Sequence, residues 1–209
     1  MPEPSGFGIL GGVRLSLGEY REEFRTAQWA IPGQGSWKLE RRQHFREPGF
    51  DSWEAFARGD WDAALRLIED ERPYLAEFSA KAGQLGIVLY RVRVVETPID
   101  PYLQWELHLL KLRAECGELI RVLAGEQVRE HEADGPLPEL VTLGSSTLYH
   151  VCYDDRGELA GAVRVTDPAD VAAAAALTRR LYEQGEDLAA FFERVVAPLP
   201  PPDGETFAC

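Results

Sequence analysis

Along residues 84–124 the apolar positions change period twice, and the changes mark three elements. Over residues 86–95 the period is two. Val88, Tyr90, Val92 and Val94 fall on one face, and Ile87, Leu89, Arg91, Arg93 and Val95 on the other. The β-branched and aromatic content suits a strand. One face is wholly apolar; the other is apolar at its start and cationic in its middle. That pattern predicts a strand covered on one side and partly open on the other. Thr97 is the predicted helix N-cap, with Pro98 in the first turn and Pro101 still within it. From Tyr102 the period is helical. Leu103, Leu107, Leu110 and Ala114 make one stripe, widened by Trp105, Leu109 and Leu112. Gly117 ends the helix, and residues 118–123 read as a second strand. A strand, a helix and a strand of this size predict a parallel unit.

The flanks follow the same rules. Residues 19–30 read as a helix and residues 36–45 as a strand. Asp51 or Ser52 caps a short helix through Ala57, Asp60 caps the next, and Pro73 restarts the chain as a helix to Gly83. Residues 124–138 read as an exposed polar loop. A short apolar run, Leu140–Leu143, precedes two strands at residues 147–153 and 158–165. Asp154, Asp155, Arg156 and Gly157 form the turn between them. Asp167 and Pro168 open a last helix, which Gly185 kinks or divides. The expected fold is α/β, with α+β as the alternative: a mixed sheet of about five strands with helices packed on it. Residues 1–17 are expected to be a flexible lead-in, 18–197 a single domain, and 198–209 a disordered Pro-rich tail.

Composition narrows the partners. A formal charge of −13 on 209 residues argues against a broad nucleic-acid-binding face and suits a small ligand or a basic partner. Three scattered cysteines make neither a disulfide framework nor a zinc site, so a cytoplasmic protein without metal or cofactor is expected. No apolar run is long enough to span a membrane, and the start lacks the pattern of a signal peptide. No Gly-x-Ser-x-Gly turn and no glycine-rich phosphate loop occurs, so the sequence carries no catalytic signature.

Four segments carry a resemblance: WKLERRQHF from Trp37, YRVRVVETPIDPYLQWEL from Tyr90, CGELIRVL from Cys116, and YHVCYDDRGELAGAVRVTDPADV from Tyr149. From about Phe24 to Val196 the chain resembles the actinobacterial domain-of-unknown-function family DUF6879. Members of that family are often encoded beside helix-turn-helix regulators of the XRE type. The resemblance implies a fold and a regulatory neighbourhood, with a helix-turn-helix regulator as partner, and no reaction. Two departures stand out. Gln104 occupies a position where the family usually has Arg, and Val141-Thr142-Leu143-Gly144 replaces an aromatic strand.

Tyr102 and Glu106 stand four apart on one helix face. If that face meets Arg91 and Arg93, the four residues make either a polar pocket for an anionic group or a structural ion pair fixing helix to sheet. In the pocket reading the arginines hold the anion, Glu106 orients them or acts as acid or base, and Tyr102 donates a hydrogen bond. His44, Arg46 and Asp51 only superficially match the His-x-Lys-x4-Asp signature of phospholipase-D-type enzymes, with Arg in place of Lys. His108 and His150 have no ligand spacing, and His131 lies among loop acids. Trp37, Trp53, Trp61, Tyr74, Phe78 and Trp105 either line a groove or fill the core. The leading functional expectation is a non-enzymatic regulatory or adaptor protein acting through a protein partner. The alternative is a small-molecule sensor or enzyme using Arg91, Arg93, Tyr102 and Glu106.

Overall fold

Two long crossovers decide the centre of the sheet. The strand β2 (Gly35–Glu40) is followed by three helices, α2 (Asp51–Ala57), α3 (Trp61–Asp70) and α4 (Arg72–Gln84), before β3 (Val88–Val95) returns beside it. The helix α5 (Pro101–Glu115) then leads to β4 (Leu119–Ala124) on the other side of β3. Crossovers of this length permit parallel pairing, and β2, β3 and β4 are parallel. The short turns between β5 (Leu140–Leu143), β6 (Thr147–Tyr153) and β7 (Leu159–Val165) give antiparallel pairs instead. The computed structural model describes residues 11–202. Within them β1 (Val13–Ser16) pairs with β7, and β8 (Glu186–Asp187) with β4. The sheet therefore has eight strands in the order β1-β7-β6-β5-β2-β3-β4-β8.

The fold is α/β, as the alternation of strands and helices predicted. The strand count is a correction: eight rather than about five. The extra strands are short: β1 and β8 at the edges, and β5, the apolar run Leu140–Leu143, between β6 and β2. The first lies inside the stretch expected to be a flexible lead-in, because Leu15 is the one buried position in its four residues. Its approach to β7 is closed by Gly161, at φ +143, where a Cβ would lie 2.2 Å from the Leu15 carbonyl oxygen. Residues 1–10 of the expected lead-in and 203–209 of the expected tail lie outside the described residues. Residues 198–202, also assigned to that tail, run back over α5, and Gln104 Nε2 donates to the Pro200 carbonyl at 2.9 Å.

One face of the sheet is covered by α7 (Pro168–Gln184). Val171, Ala174, Leu177 and Leu181 pack on Leu39, Val92, Val94, Leu123, Leu140, Leu148 and Val165. The expected division at Gly185 holds: α7 ends there, and β8 and α8 (Leu188–Phe191) follow, with a π-turn at Phe192–Val196. The other face carries α5, whose two apolar sides go to different places. Leu103, Leu107 and Leu110 pack with β4 and α8, while Trp105, Leu109 and Leu112 pack on α2 and α3. Farther along this face α1 (Leu17–Ala27) sets Tyr20 against Tyr149 and Val151.

Two further expectations are corrected and a third is narrowed. The cap of α5 is Asp100, whose carboxylate accepts from Leu103 N at 2.7 Å, and Pro101 takes the first helical position ahead of Pro98. Residues 124–138 are not an exposed loop. They form α6 (Gly125–Val128) and a 3-10 turn, Val128 and Leu137 are buried, and Glu132 binds Arg41 at 2.6 Å. The cationic middle of β3's mixed face is buried, because carboxylates from β2, α5 and the residue before β4 pair its arginines, while the start of that face, at Leu89, borders a cleft. No helix among the described residues is long and apolar enough to cross a membrane.

Candidate functional site

Register places the charged residues. Lys38 lies beside Arg91, and Glu40 beside Arg93, across the parallel β2–β3 pair. With Trp37, Leu39, Val92 and Val94 turned towards α7, the period of two sends all four charged side chains to the opposite face. There Arg91 is fixed from two sides. Its Nε donates to Glu118 Oε1 at 2.7 Å and its Nη1 to Glu40 Oε2 at 2.6 Å. The second Glu40 oxygen holds Lys38 Nζ at 2.6 Å, and the second Glu118 oxygen faces Arg113 at 3.5 Å. Burial disfavours these carboxylates. The cations outweigh it: Arg91 and Lys38 hold Glu40, and Arg91 and Arg113 hold Glu118, below the usual carboxylate range.

The four residues singled out in the sequence separate. Arg93 is 0% exposed; its Nε donates to Glu106 Oε2 at 2.8 Å and its Nη1 to the Val94 carbonyl at 3.0 Å. Burial with one cation opposite pushes the Glu106 carboxyl up. Tyr102 donates instead to Glu47 Oε1 at 2.8 Å, under the rings of His44, Phe45, Phe56 and Trp105. Arg93, Glu106 and Tyr102 thus sit inside the core, in two separate polar pairs. Arg91, by contrast, lines a cavity that the other three do not reach.

That cavity is a cleft of about 320 Å³. It exists because the helices on this face leave a gap. The α1 helix packs on β7, α5 on β4 and α4 on β3, so the faces of β2 and β5 lie between them. Lys38, Arg91, Glu118, Glu139 and Val141 line the floor. The walls are aromatic: Tyr20, Phe24 and Trp29 from α1 and the turn after it, Tyr74 and Phe78 from α4, and Tyr153 from β6. Trp29 and Phe78 meet across the cleft with ring centroids 4.7 Å apart, and Lys81 Nζ lies 4.1 Å above the Trp29 ring. Of the six aromatics noted in the sequence, only Tyr74 and Phe78 line it. Trp53, Trp61 and Trp105 pack between α2, α3 and α5, and Trp37 stacks on Tyr90 at 3.9 Å.

Glu139 is the unusual group of the floor. It is 8% exposed. Its Oε1 accepts from the backbone N–H of Arg41 at 2.9 Å and of Arg42 at 2.6 Å. Its Oε2 has no hydrogen-bond partner among the described residues. Burial, with Glu40 adding repulsion, pushes this carboxyl up to about 7. A buried carboxyl oxygen without a partner is costly to keep, so its place beside a cleft is informative.

The sequence did not single out Glu139, Glu40, Glu118 or Lys38. One signal was present. Lys38 and Glu40 alternate in the phase of Arg91 and Arg93, and parallel pairing of the two strands brings the four together. Glu139 follows Pro136 and Pro138 and has no such pattern. The other sequence candidates form no constellation. His44 packs on Tyr102, Arg46 lies 3.9 Å from Glu158, and Asp51 is exposed at the start of α2. His131 faces Glu130 at 3.5 Å, and the described residues hold no group of three metal-ligating side chains. His108 is wedged edge-on between Trp61 and Phe192, where burial lowers its pKa to about 4.

A family model described as Domain of unknown function (DUF6879) matches residues 23–193. No curated protein and no solved structure matches the chain.

Proposed function

For a chain that belongs to the DUF6879 family, we propose a small-molecule-binding role, with the ligand seated in the cleft between α1 and α4. One observation carries this reading: an aromatic-walled cavity stands directly over a charged floor that includes a buried, unpartnered carboxyl oxygen. Apolar walls with a few convergent polar groups are the usual make-up of ligand sites. Binding is the role proposed; Glu139, whose carboxyl burial pushes up to about 7, is the group that an acid–base role would use. The adaptor reading has the net charge and the family resemblance behind it. It stands second. The two combine if ligand binding alters a surface that a regulator contacts.

The test is thermal unfolding of the protein with a metabolite panel, repeated on Leu89→Trp. Leu89 is half-buried and lines the cleft, so an indole there occupies the cavity. A true ligand at about 100 times its Kd is expected to stabilise the native protein by about 2.7 kcal/mol. That raises Tm by roughly 5–11 °C in a chain of this size. Leu89→Trp is expected to abolish the shift. A panel without any stabilising compound, or a shift unchanged in the variant, would remove the cleft from consideration and return the adaptor to first place.

A further inference from the structure

We infer that the cleft takes an organic cation: a protonated amine on an aromatic or aliphatic body, its ammonium N–H bonded to Glu139 and its body against the aromatic walls. This rests on the ligand-binding reading and narrows it to one chemical class. The cationic strand residues suggest an anion site at first sight, and the geometry reverses that impression. Every cation of the floor already has a carboxylate. Arg91 is held by Glu40 and Glu118, Lys38 by Glu40, and Arg113 by Glu118. An anion must displace one of these carboxylates and leave it buried without its cation. An ammonium displaces none of these pairs: among the described residues the one unpartnered oxygen of the cleft floor is Glu139 Oε2, an acceptor once the carboxyl is ionised.

The walls point the same way. Ring faces attract cations, and the walls of this cleft are aromatic. The Trp29 face already seats one cation, the Lys81 ammonium. The chain's charge of −13 favours the arrival of cations over that of anions. The groups acting on Glu139 are Glu40 from β2, Arg93 from β3, and the backbone N–H groups of Arg41 and Arg42; Tyr153 from β6 feels its charge in turn. An ammonium adds the positive charge that this set lacks near Oε2. Binding therefore draws Glu139 into its ionised form, and the proton it held leaves to solvent.

Titration calorimetry on the full chain with 2-phenylethylamine, 2-phenylethanol and phenylacetate separates the charge states on one body. The amine is expected to bind at least about tenfold more tightly than the alcohol, the value of one charge-assisted hydrogen bond. Phenylacetate is expected to give no heat of binding. Glu139→Gln keeps the Oε1 acceptor and is expected to lose the amine preference. The native protein's affinity for the amine is expected to fall as pH drops below about 7, as Glu139 becomes protonated, and to stay flat in the variant. If Glu139→Gln does not fold, Phe78→Leu decides: removing a wall ring should weaken the amine more than the alcohol. Equal binding of alcohol and amine, tighter binding of phenylacetate, or full amine affinity in Glu139→Gln overturns the cation assignment. In those cases a bound compound that Leu89→Trp still excludes leaves the ligand-binding reading standing. Absence of binding by all three compounds also overturns the cation assignment, while the metabolite panel judges the wider reading.

Discussion

Replacing Arg91 by Met is expected to lower the stability of the protein by about 3–5 kcal/mol, the usual result of removing one partner from a buried ion pair. Arg91 touches Glu40 on its own sheet and Glu118 at the entry to β4. Without it, Glu40 keeps only Lys38, and Glu118 only the 3.5 Å contact with Arg113. Urea unfolding at pH 7 gives the loss directly from the midpoint, at an unchanged slope. Glu118→Gln in the Arg91→Met background is expected to recover part of it, since the amide carries no charge to strand. The pH dependence supplies an independent check. Glu40 and Glu118 titrate below the range of an unfolded carboxylate. Their contribution is therefore complete above that range and is lost progressively as pH falls below it towards their folded values. In Arg91→Met that acid-linked loss is expected to shrink between about pH 5 and about pH 2. A variant within 1 kcal/mol of the native protein, or one as acid-sensitive as the native protein, would show that the three residues act separately.

Trp105→Ala is expected to cost about 3–5 kcal/mol, the range for emptying a large aromatic site. Trp105 is 0% exposed, stacks on Phe56 at 5.5 Å and meets Phe50 edge-on at 6.0 Å. Its Nε1 donates to Ser52 Oγ at 2.9 Å, and Ser52 Oγ donates to the Ala64 carbonyl at 2.8 Å. One side chain of α5 thus ties α2 to α3. Hydrogen exchange is expected to accelerate across residues 51–70 in this variant before the sheet is affected. Trp105→Phe, which keeps a ring against Phe56, should recover more than half of the loss. Uniform acceleration across the whole chain would mean that α2 and α3 have no separate stability.

Local chemistry made much of the fold readable. Asp60 and Asp167 cap α3 and α7 as their positions before Trp61 and Pro168 suggest. Thr147–Tyr153 is the strand its residue types favour, and Gly117 follows α5 at φ +113. What escaped was set by distant partners. The strand β1 has one buried position, and β8 has two residues, so neither carries a period to detect. The cationic middle of β3 looked open because the carboxylates that close it lie on β2, α5 and the residue before β4. Tyr102 and Glu106 do share a side of α5, as spacing dictates. Their polar atoms nevertheless go to Glu47 and Arg93, and sequence spacing cannot rank such partners. The cleft itself is a gap between helices, and a gap has no residue pattern of its own.

The strand order also sets a schedule for synthesis. β2, at the centre of the sheet, needs β3 and β5 as neighbours, and β1 can pair only when Arg164 has reached Val13. A chain emerging from its N-terminus therefore carries β1 and α1 for most of translation with their final neighbours still unmade. Closure of the β1 edge has to wait for nearly the whole domain, and long-range pairing of this kind slows folding and prolongs the exposure of sticky surface. Truncation after β4, a natural choice for isolating the parallel unit, would leave Leu15 and Tyr20 without the β6–β7 surface they pack against.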